Sequence, residues 1–198
     1  MINAADSVVT SIGKLMQELF ALLDATHNPW CVLHGYDSLP NRVRSDLDCL
    51  VSQDALRKDG AFWSVLAAKR CTGQELLVQW LQHEATAHYF VFALRGKEGS
   101  WDFLRFDVSS DYRRNHRIFY SGDEILDHRR PFNGFWIPAP RHEFGYYLVK
   151  KIAKGQLGAD HGERLSHLYH EDPFGCAKET RKFWREDSAR LLEHAAES

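Results

Sequence analysis

The chain has 198 residues, 44% of them hydrophobic and 26% charged, with a formal net charge of −2. That is the size and make-up of one globular domain, or of a compact domain with a smaller companion, long enough to bury a core without staples. A charge so near neutral excludes a generally basic protein that coats nucleic acid.

In chain order, "SVVTSIGKLMQELFALLDAT" carries Val8, Ile12, Leu15, Leu19 and Leu22 at spacings of three and four. That period predicts an amphipathic helix, with Asp6 as its N-cap. Asp6, Lys14, Gln17 and Glu18 interrupt the N-terminal stretch, so it reads as neither a secretion signal nor a membrane span. No apolar run elsewhere is long enough to cross a bilayer. "WCVLHG" is a short buried strand stopped by glycine, "YDSLPNRVRS" a loop and "DLDCLV" a second strand. "QDALRKDGAFWSVLAAKR" looks mostly helical, with a break near Gly60.

Three strand candidates follow, "ELLVQWLQ", "AHYFVFALRG" and "SWDFLRFDVSS". The second reads as a run buried on both faces, and Gly96 and Gly99 frame a turn between it and the third. "GDEILDHRR" is a short helix and "GFWIPAPR" is extended. From Arg141 the pattern turns helical in "EFGYYLVKKIAKG", "ERLSHLYHED" and "CAKETRKFWREDSARLLEHAAES", with Gly155 and Gly175 near the boundaries. The expected architecture is an α/β (α+β) core over residues 1–138, with a mixed sheet, and a helical C-terminal cap over 139–198.

The four cysteines, Cys31, Cys49, Cys71 and Cys176, form no CxxC pair. That points away from a zinc site or disulfide framework and toward a reducing cytoplasm, with Cys31 and Cys49 packed as small hydrophobes. The chain has 11 histidines. His142, His161, His167 and His170 crowd the helical part without a familiar zinc spacing, and read as surface or hydrogen-bonded residues. Trp101, Phe103, Trp136, Phe183 and Trp184 read as core.

The unusual stretch is "DLDCLV". Alternate residues on a strand face one side, so Asp46 and Asp48 point together while Leu47 and Cys49 point the other way. Paired carboxylates repel and drift toward protonation unless a cation lies between them. Mg²⁺ takes carboxylate oxygens together with substrate phosphates, so a strand-borne Asp-x-Asp makes a half-site for a metal nucleotide. A solvent-exposed strand end is the plainer alternative. A glycosyltransferase of another fold, using its Asp-x-Asp for a sugar nucleotide, is a further one.

The segment "VLHGYDSLPNRVRSDLDCLV" resembles the nucleotidyltransferase superfamily of DNA polymerase β, in which an apolar strand ends in glycine and Asp-x-Asp lies on the next strand. More narrowly, it resembles uncharacterised bacterial nucleotidyltransferase-like proteins encoded beside surface-polysaccharide genes. The resemblance covers about the first 110 residues. It implies that Asp46 and Asp48 bind Mg²⁺, two ions in all, and that a third carboxylate on a later strand completes the set. Asp107, flanked by Phe106 and Val108, is the candidate; Asp102 is the second choice, and a strand-exit cap is the plain role for "DVSSD". The glycine turn would hold the phosphates of an NTP through Gly35, Tyr36, Ser38 and Ser45. The superfamily usually has Gly-Ser or Gly-Gly at the turn, and this chain has Gly35-Tyr36.

Lys150 and Lys154, one helical turn apart, either reach those phosphates or form a solvated helix end favoured by the dipole. Arg113, Arg114 and Arg117 either hold an anion or decorate a turn. His34 either shapes the glycine turn or is buried against a backbone carbonyl. The implied activity moves a nucleoside monophosphate from an NTP to an acceptor. Sugar, antibiotic, tRNA end and protein side chain all fit; a small or saccharide acceptor suits the absence of a broad basic surface, and the arginine cluster keeps nucleic acid open. A retained but non-catalytic module binding a nucleotide or a partner is the alternative.

Overall fold

The computed structural model describes residues 11–43, 45–57, 75–95, 99–114, 116–184 and 188–197. The expected N-cap Asp6, the break at Gly60, Cys71 and Gly96 lie outside them. The chain divides into two compact units: Met1–Asp127 with Asn133–Phe135, and His128–Phe132 with Trp136–Ser198.

The first unit opens with helix α1, Ser11–Ala25, which buries Leu15, Met16, Leu19, Phe20 and Leu23 on one face. That three-and-four spacing is what a helix needs to hide one stripe and wet the rest. Strands β1 (Trp30–Val32) and β2 (Leu47–Val51) follow, then the short helix α2 (Gln53–Arg57) and strands β3 (Glu75–Glu84), β4 (Ala87–Arg95) and β5 (Trp101–Ser109). Phe20 packs on Trp30 and Phe135 at centroid separations of 4.8 and 5.3 Å.

These strands form a mixed five-stranded sheet in the order β1-β2-β5-β4-β3. The β2–β5 pair is parallel; β1–β2, β5–β4 and β4–β3 are antiparallel. The α+β architecture with a mixed sheet and a helical C-terminal part is the one expected from the sequence. A second small sheet pairs β6 (Asp111–Arg114) with β7 (Arg117–Ser121), and helix α3 (Gly122–Leu126) follows. A short pair, β8 (Arg130–Phe132) and β9 (Phe135–Ile137), turns at Asn133 and Gly134, both at positive φ.

Two expectations need correction. β4 is not buried on both faces, because Tyr89 and Val91 are only half-buried while Phe90 and Phe92 are in the core. Trp101 and Phe103 are not core: they are 52% and 54% exposed, on the face of β5 opposite the buried Leu104, Phe106 and Val108. A hydrophobic run reads as buried on both sides whether or not a second layer covers the sheet.

Beyond β8 and most of β9, the second unit is helical: α4 (Pro140–Lys154), α5 (Ala159–Glu171), α6 (Pro173–Phe183) and α7 (Ser188–Glu197). Pro140 opens α4, and Gly155, at φ 63°, closes it in the left-handed conformation that favours glycine. The last expected helix is two helices, α6 ending at Phe183 and α7 starting at Ser188. Asp172 caps α6, its carboxylate accepting from the Gly175 N–H at 2.9 Å. Phe144, Leu148, Leu165, Leu168 and Cys176 form this unit's core. From α4, the wholly buried Glu143 carboxylate accepts from Arg164 of α5, Nε at 3.0 Å and Nη2 at 2.6 Å.

Candidate active site

The parallel pairing of β2 with β5 sets Leu47 beside Phe106 and Asp48 beside Asp107. Residues in register on neighbouring strands project to the same side, so the apolar and acidic alternations coincide. Leu47, Cys49, Phe106 and Val108 enter the core, at most 3% exposed. Asp48 and Asp107 are half-buried on the opposite face, with their strands about 4.8 Å apart.

Asp46 lies one residue before β2 and is exposed; its Oδ1 is 3.5 Å from Arg105 Nη1. Arg105 precedes Asp107 by two residues and so shares its face. On the other side of β5, Tyr89 of β4 is the register partner of Asp107. Burial first, then the charge of Asp46, pushes the Tyr89 phenol up from its ordinary value; Arg105 pulls the other way and Asp107 adds to the rise. The phenol therefore stays a proton donor facing an acidic patch. The Cys49 thiol is pushed well up by burial, then by Cys31 and by the charges of Asp48 and Asp107.

His34 is brought in by the backbone. The Leu33 N–H donates to the Asp48 carbonyl at 2.9 Å, tying the chain beyond β1 to β2. The next side chain, His34, then reaches Asp48, Nε2 to Oδ2 at 2.9 Å. A carboxylate partner for His34 was not foreseen from the sequence. Gly35 follows with φ +72°, and a Cβ there would meet nothing within 4 Å. The left-handed backbone, not lack of room, is what favours glycine at this turn.

The other predicted residues are placed as follows. Tyr36 is 2% exposed and its ring belongs to the core. The Ser38 hydroxyl donates to the Arg42 carbonyl at 2.7 Å, and the Ser45 hydroxyl to the Asp46 carbonyl at 3.4 Å. Lys150 and Lys154 lie on α4 in the second unit. Lys150 Nζ donates to the Tyr146 hydroxyl at 2.9 Å and sits over that ring, and Lys154 is exposed in the last turn. Asp102 pairs with Leu94, five residues along β5 from Asp107, and alternation sends it to the other face.

Of the arginine cluster, Arg113 is clamped on Asp111, Nε to Oδ1 at 2.8 Å and Nη2 to Oδ2 at 2.9 Å. Three of the helical histidines are held locally. His161 accepts from the Gly158 N–H at 3.4 Å, His167 lies 3.1 Å from Glu171, and His170 Nδ1 is 2.7 Å from the Ser166 carbonyl. His142 is 2% exposed and packs against His128.

So Asp46, Asp48, Asp107, Tyr89, Arg105 and His34 share one region of one sheet face. No three of the acidic and histidine side chains among them bring ligand atoms within 4.8 Å of one another. That is not a closed all-protein cage. Two neighbouring, half-buried carboxylates are the kind of donor set Mg²⁺ uses when substrate phosphates supply the remaining ligands. Tyr89 and Arg105 went unnoticed in the sequence; the signal was alternation, since both fall in register with Asp107 once the pairing is known.

No family model and no curated protein matches this sequence. Among solved structures, the chain is similar to "Crystal structure of putative nucleotidyltransferase from H. pylori" at 9% identity and a TM-score of 0.42, covering 94% of this chain and 92% of that one. At that similarity the functional reading rests on this chain's own residues. Among the described residues, no helix is long and apolar enough to cross a membrane.

Proposed function

We propose that the chain is a Mg²⁺-dependent nucleotidyltransferase that moves a nucleoside monophosphate from an NTP to an acceptor hydroxyl or amine. The observation that carries the reading is Asp48 in register beside Asp107, with Asp46 on the same face. Like charges directly opposite on neighbouring strands repel, and a metal nucleotide would neutralise that repulsion.

Asp48 and Asp107 would hold the metal, with Asp46 as the outer carboxylate; the resemblance implies two ions. When bound, divalent metal supplies charge neutralisation on the polyphosphate and lowers the pKa of the attacking group. The acceptor atom bonds to the α-phosphorus, the α–β phosphoanhydride bond breaks, and pyrophosphate leaves with the electron pair. Asp107 takes the acceptor's proton. Tyr89, held protonated, donates to a phosphate oxygen, and Arg105 offers a cation on the same face. The open space beside the Gly35 turn accommodates the triphosphate through backbone N–H groups, a role that needs no side chain from Tyr36. A small or saccharide acceptor fits the net charge of −2 and the narrower resemblance. A reducing cytoplasm suits the buried free thiols of Cys31, Cys49 and Cys176.

The test is transfer of label from α-³²P NTP, with Mg²⁺, to any component of a cell extract. Wild type should label an acceptor and Asp48→Ala should not. A second reading is a non-catalytic module on the same fold, favoured by two observations: His34 occupies Asp48, and no serine follows Gly35. Wild type that binds Mg·NTP in calorimetry but labels nothing in any extract would establish that reading instead.

A further inference from the structure

The outer face of β5 carries Asp107, Arg105, Phe103 and Trp101 in succession at alternate positions. The Arg105 side chain is 60% exposed, and Phe103 and Trp101 are each more than half exposed. The inner face of the same strand, Leu104, Phe106 and Val108, is wholly buried. Two half-bare aromatic rings, on the part of β5 that pairs with β4 but lies before its pairing with β2, stand in line with a cation and a carboxylate and form a graded surface that runs from charged to apolar.

We propose that this face of β5 is a nucleotide track in which Phe103 is the platform for the nucleobase and Arg105 contacts the polyphosphate. The inference rests on the nucleotidyltransferase reading and deepens it. Phe103 stands four residues from Asp107, about 13 Å along the strand at about 3.3 Å per residue. That matches the reach from the polyphosphate of an extended nucleoside triphosphate to its base. Arg105 falls midway, within reach of the α-phosphate on the ribose side of the metal. The β4 residue in register with Phe103 is Ala93, whose small side chain does not reach over the ring. Trp101, two residues further out, lies beyond a single nucleotide. Every base has a π-face, so the platform accepts all four nucleotides, with purines held better because they overlap the ring more.

The experiment is calorimetric titration of the full chain, in Mg²⁺, with ATP and separately with inorganic tripolyphosphate. Wild type should bind ATP more tightly than tripolyphosphate. Phe103→Ala should weaken ATP by about 5- to 20-fold, the lower range for one base stacked on one half-exposed ring, and leave tripolyphosphate unchanged. Arg105→Gln should weaken both ligands, and Trp101→Ala should change neither. All three side chains are surface residues, and matching melting temperatures would confirm that the variants are folded. If wild type binds both ligands equally, or Phe103→Ala leaves ATP affinity intact, the platform is wrong while the metal-phosphate site stands. If wild type binds neither ligand in Mg²⁺, the nucleotidyltransferase reading itself fails, and this inference with it.

Discussion

Asp107→Asn is the most informative substitution, because its two expected effects have opposite signs. Without metal, Asp48 and Asp107 are like charges on neighbouring strands about 5 Å apart. Coulomb's law gives about 0.8 kcal/mol of repulsion at the dielectric of water and about 3.3 at an effective value of 20. His34, 2.9 Å from Asp48, offsets part of it, and measured cross-strand like-charge costs lie near the bottom of that range. Asparagine keeps the shape and removes the charge, so the metal-free variant should be more stable by about 1 kcal/mol. For a chain of this length that raises Tm by about 2–4 °C, and high salt should shrink the gain.

With Mg·ATP at one hundred times Kd, wild type should gain about 2.7 kcal/mol by mass action, and Asp107→Asn should lose most of that gain. Differential scanning fluorimetry, with and without Mg·ATP and at low and high salt, reads all of these shifts. A metal-free Asp107→Asn that melts below wild type would show the carboxylate to be a structural acceptor. Equal stabilisation of both proteins by Mg·ATP would remove Asp107 from the metal site. Asp48→Asn should gain less than Asp107→Asn, because it also removes the partner of His34.

Burial pushes the Cys176 thiol up to about 12 from its ordinary 9.0, and its S–H faces the Leu168 carbonyl at 3.5 Å. A folded pKa above the unfolded one means that this contribution is complete below pH 9 and is lost as pH rises toward 12. Between pH 8.5 and 10.5, urea melts of Cys176→Ala should therefore lose about 2 kcal/mol less than those of wild type. Arg164→Leu should cost about 3–5 kcal/mol by taking the guanidinium away from the buried Glu143 carboxylate, and Glu143→Leu/Arg164→Leu should recover much of it in the same melts. Gly122→Ala should lower Tm by several degrees, because a Cβ there runs into the Ser110 backbone carbonyl; circular dichroism melts would read it.

What the sequence made legible followed from periodicity. The 3.6-residue spacing of α1 and the alternation in "DLDCLV" and "FLRFDV" identified their elements and which side chains share a side. The glycine bound of α4 at Gly155 was equally plain, whereas its start at Pro140 falls inside "GFWIPAPR", which reads as extended. Alternation within one strand says nothing about which strand lies beside it, however. The parallel pairing that sets Asp48 against Asp107, and the antiparallel pairing that adds Tyr89, are long-range facts. His34 meeting Asp48 depends on one backbone hydrogen bond, from Leu33 to the Asp48 carbonyl, which no local pattern encodes. The exposure of Phe103 and Trp101 was misread for a related reason: an aromatic residue on a strand signals a strand, not a covering layer.

The sheet's two faces then separate stability from function. The inner face is a continuous apolar surface, in which Cys49, Phe106, Val108, Phe90 and Phe92 are all buried. It would hold the five strands together whatever stood on the outer face. A carboxylate at 107 directly beside the one at 48 adds a like-charge repulsion that an uncharged side chain at 107 would avoid. An exposed Arg105–Asp46 pair is worth at most about 1 kcal/mol, too little to justify a second acidic pair beside it. A ligand that brings cations and anions together on that face would turn this costly crowding of charge to use. A metal-bound polyphosphate does so, and the aromatic end of the same strand is where the uncharged remainder of that ligand would lie.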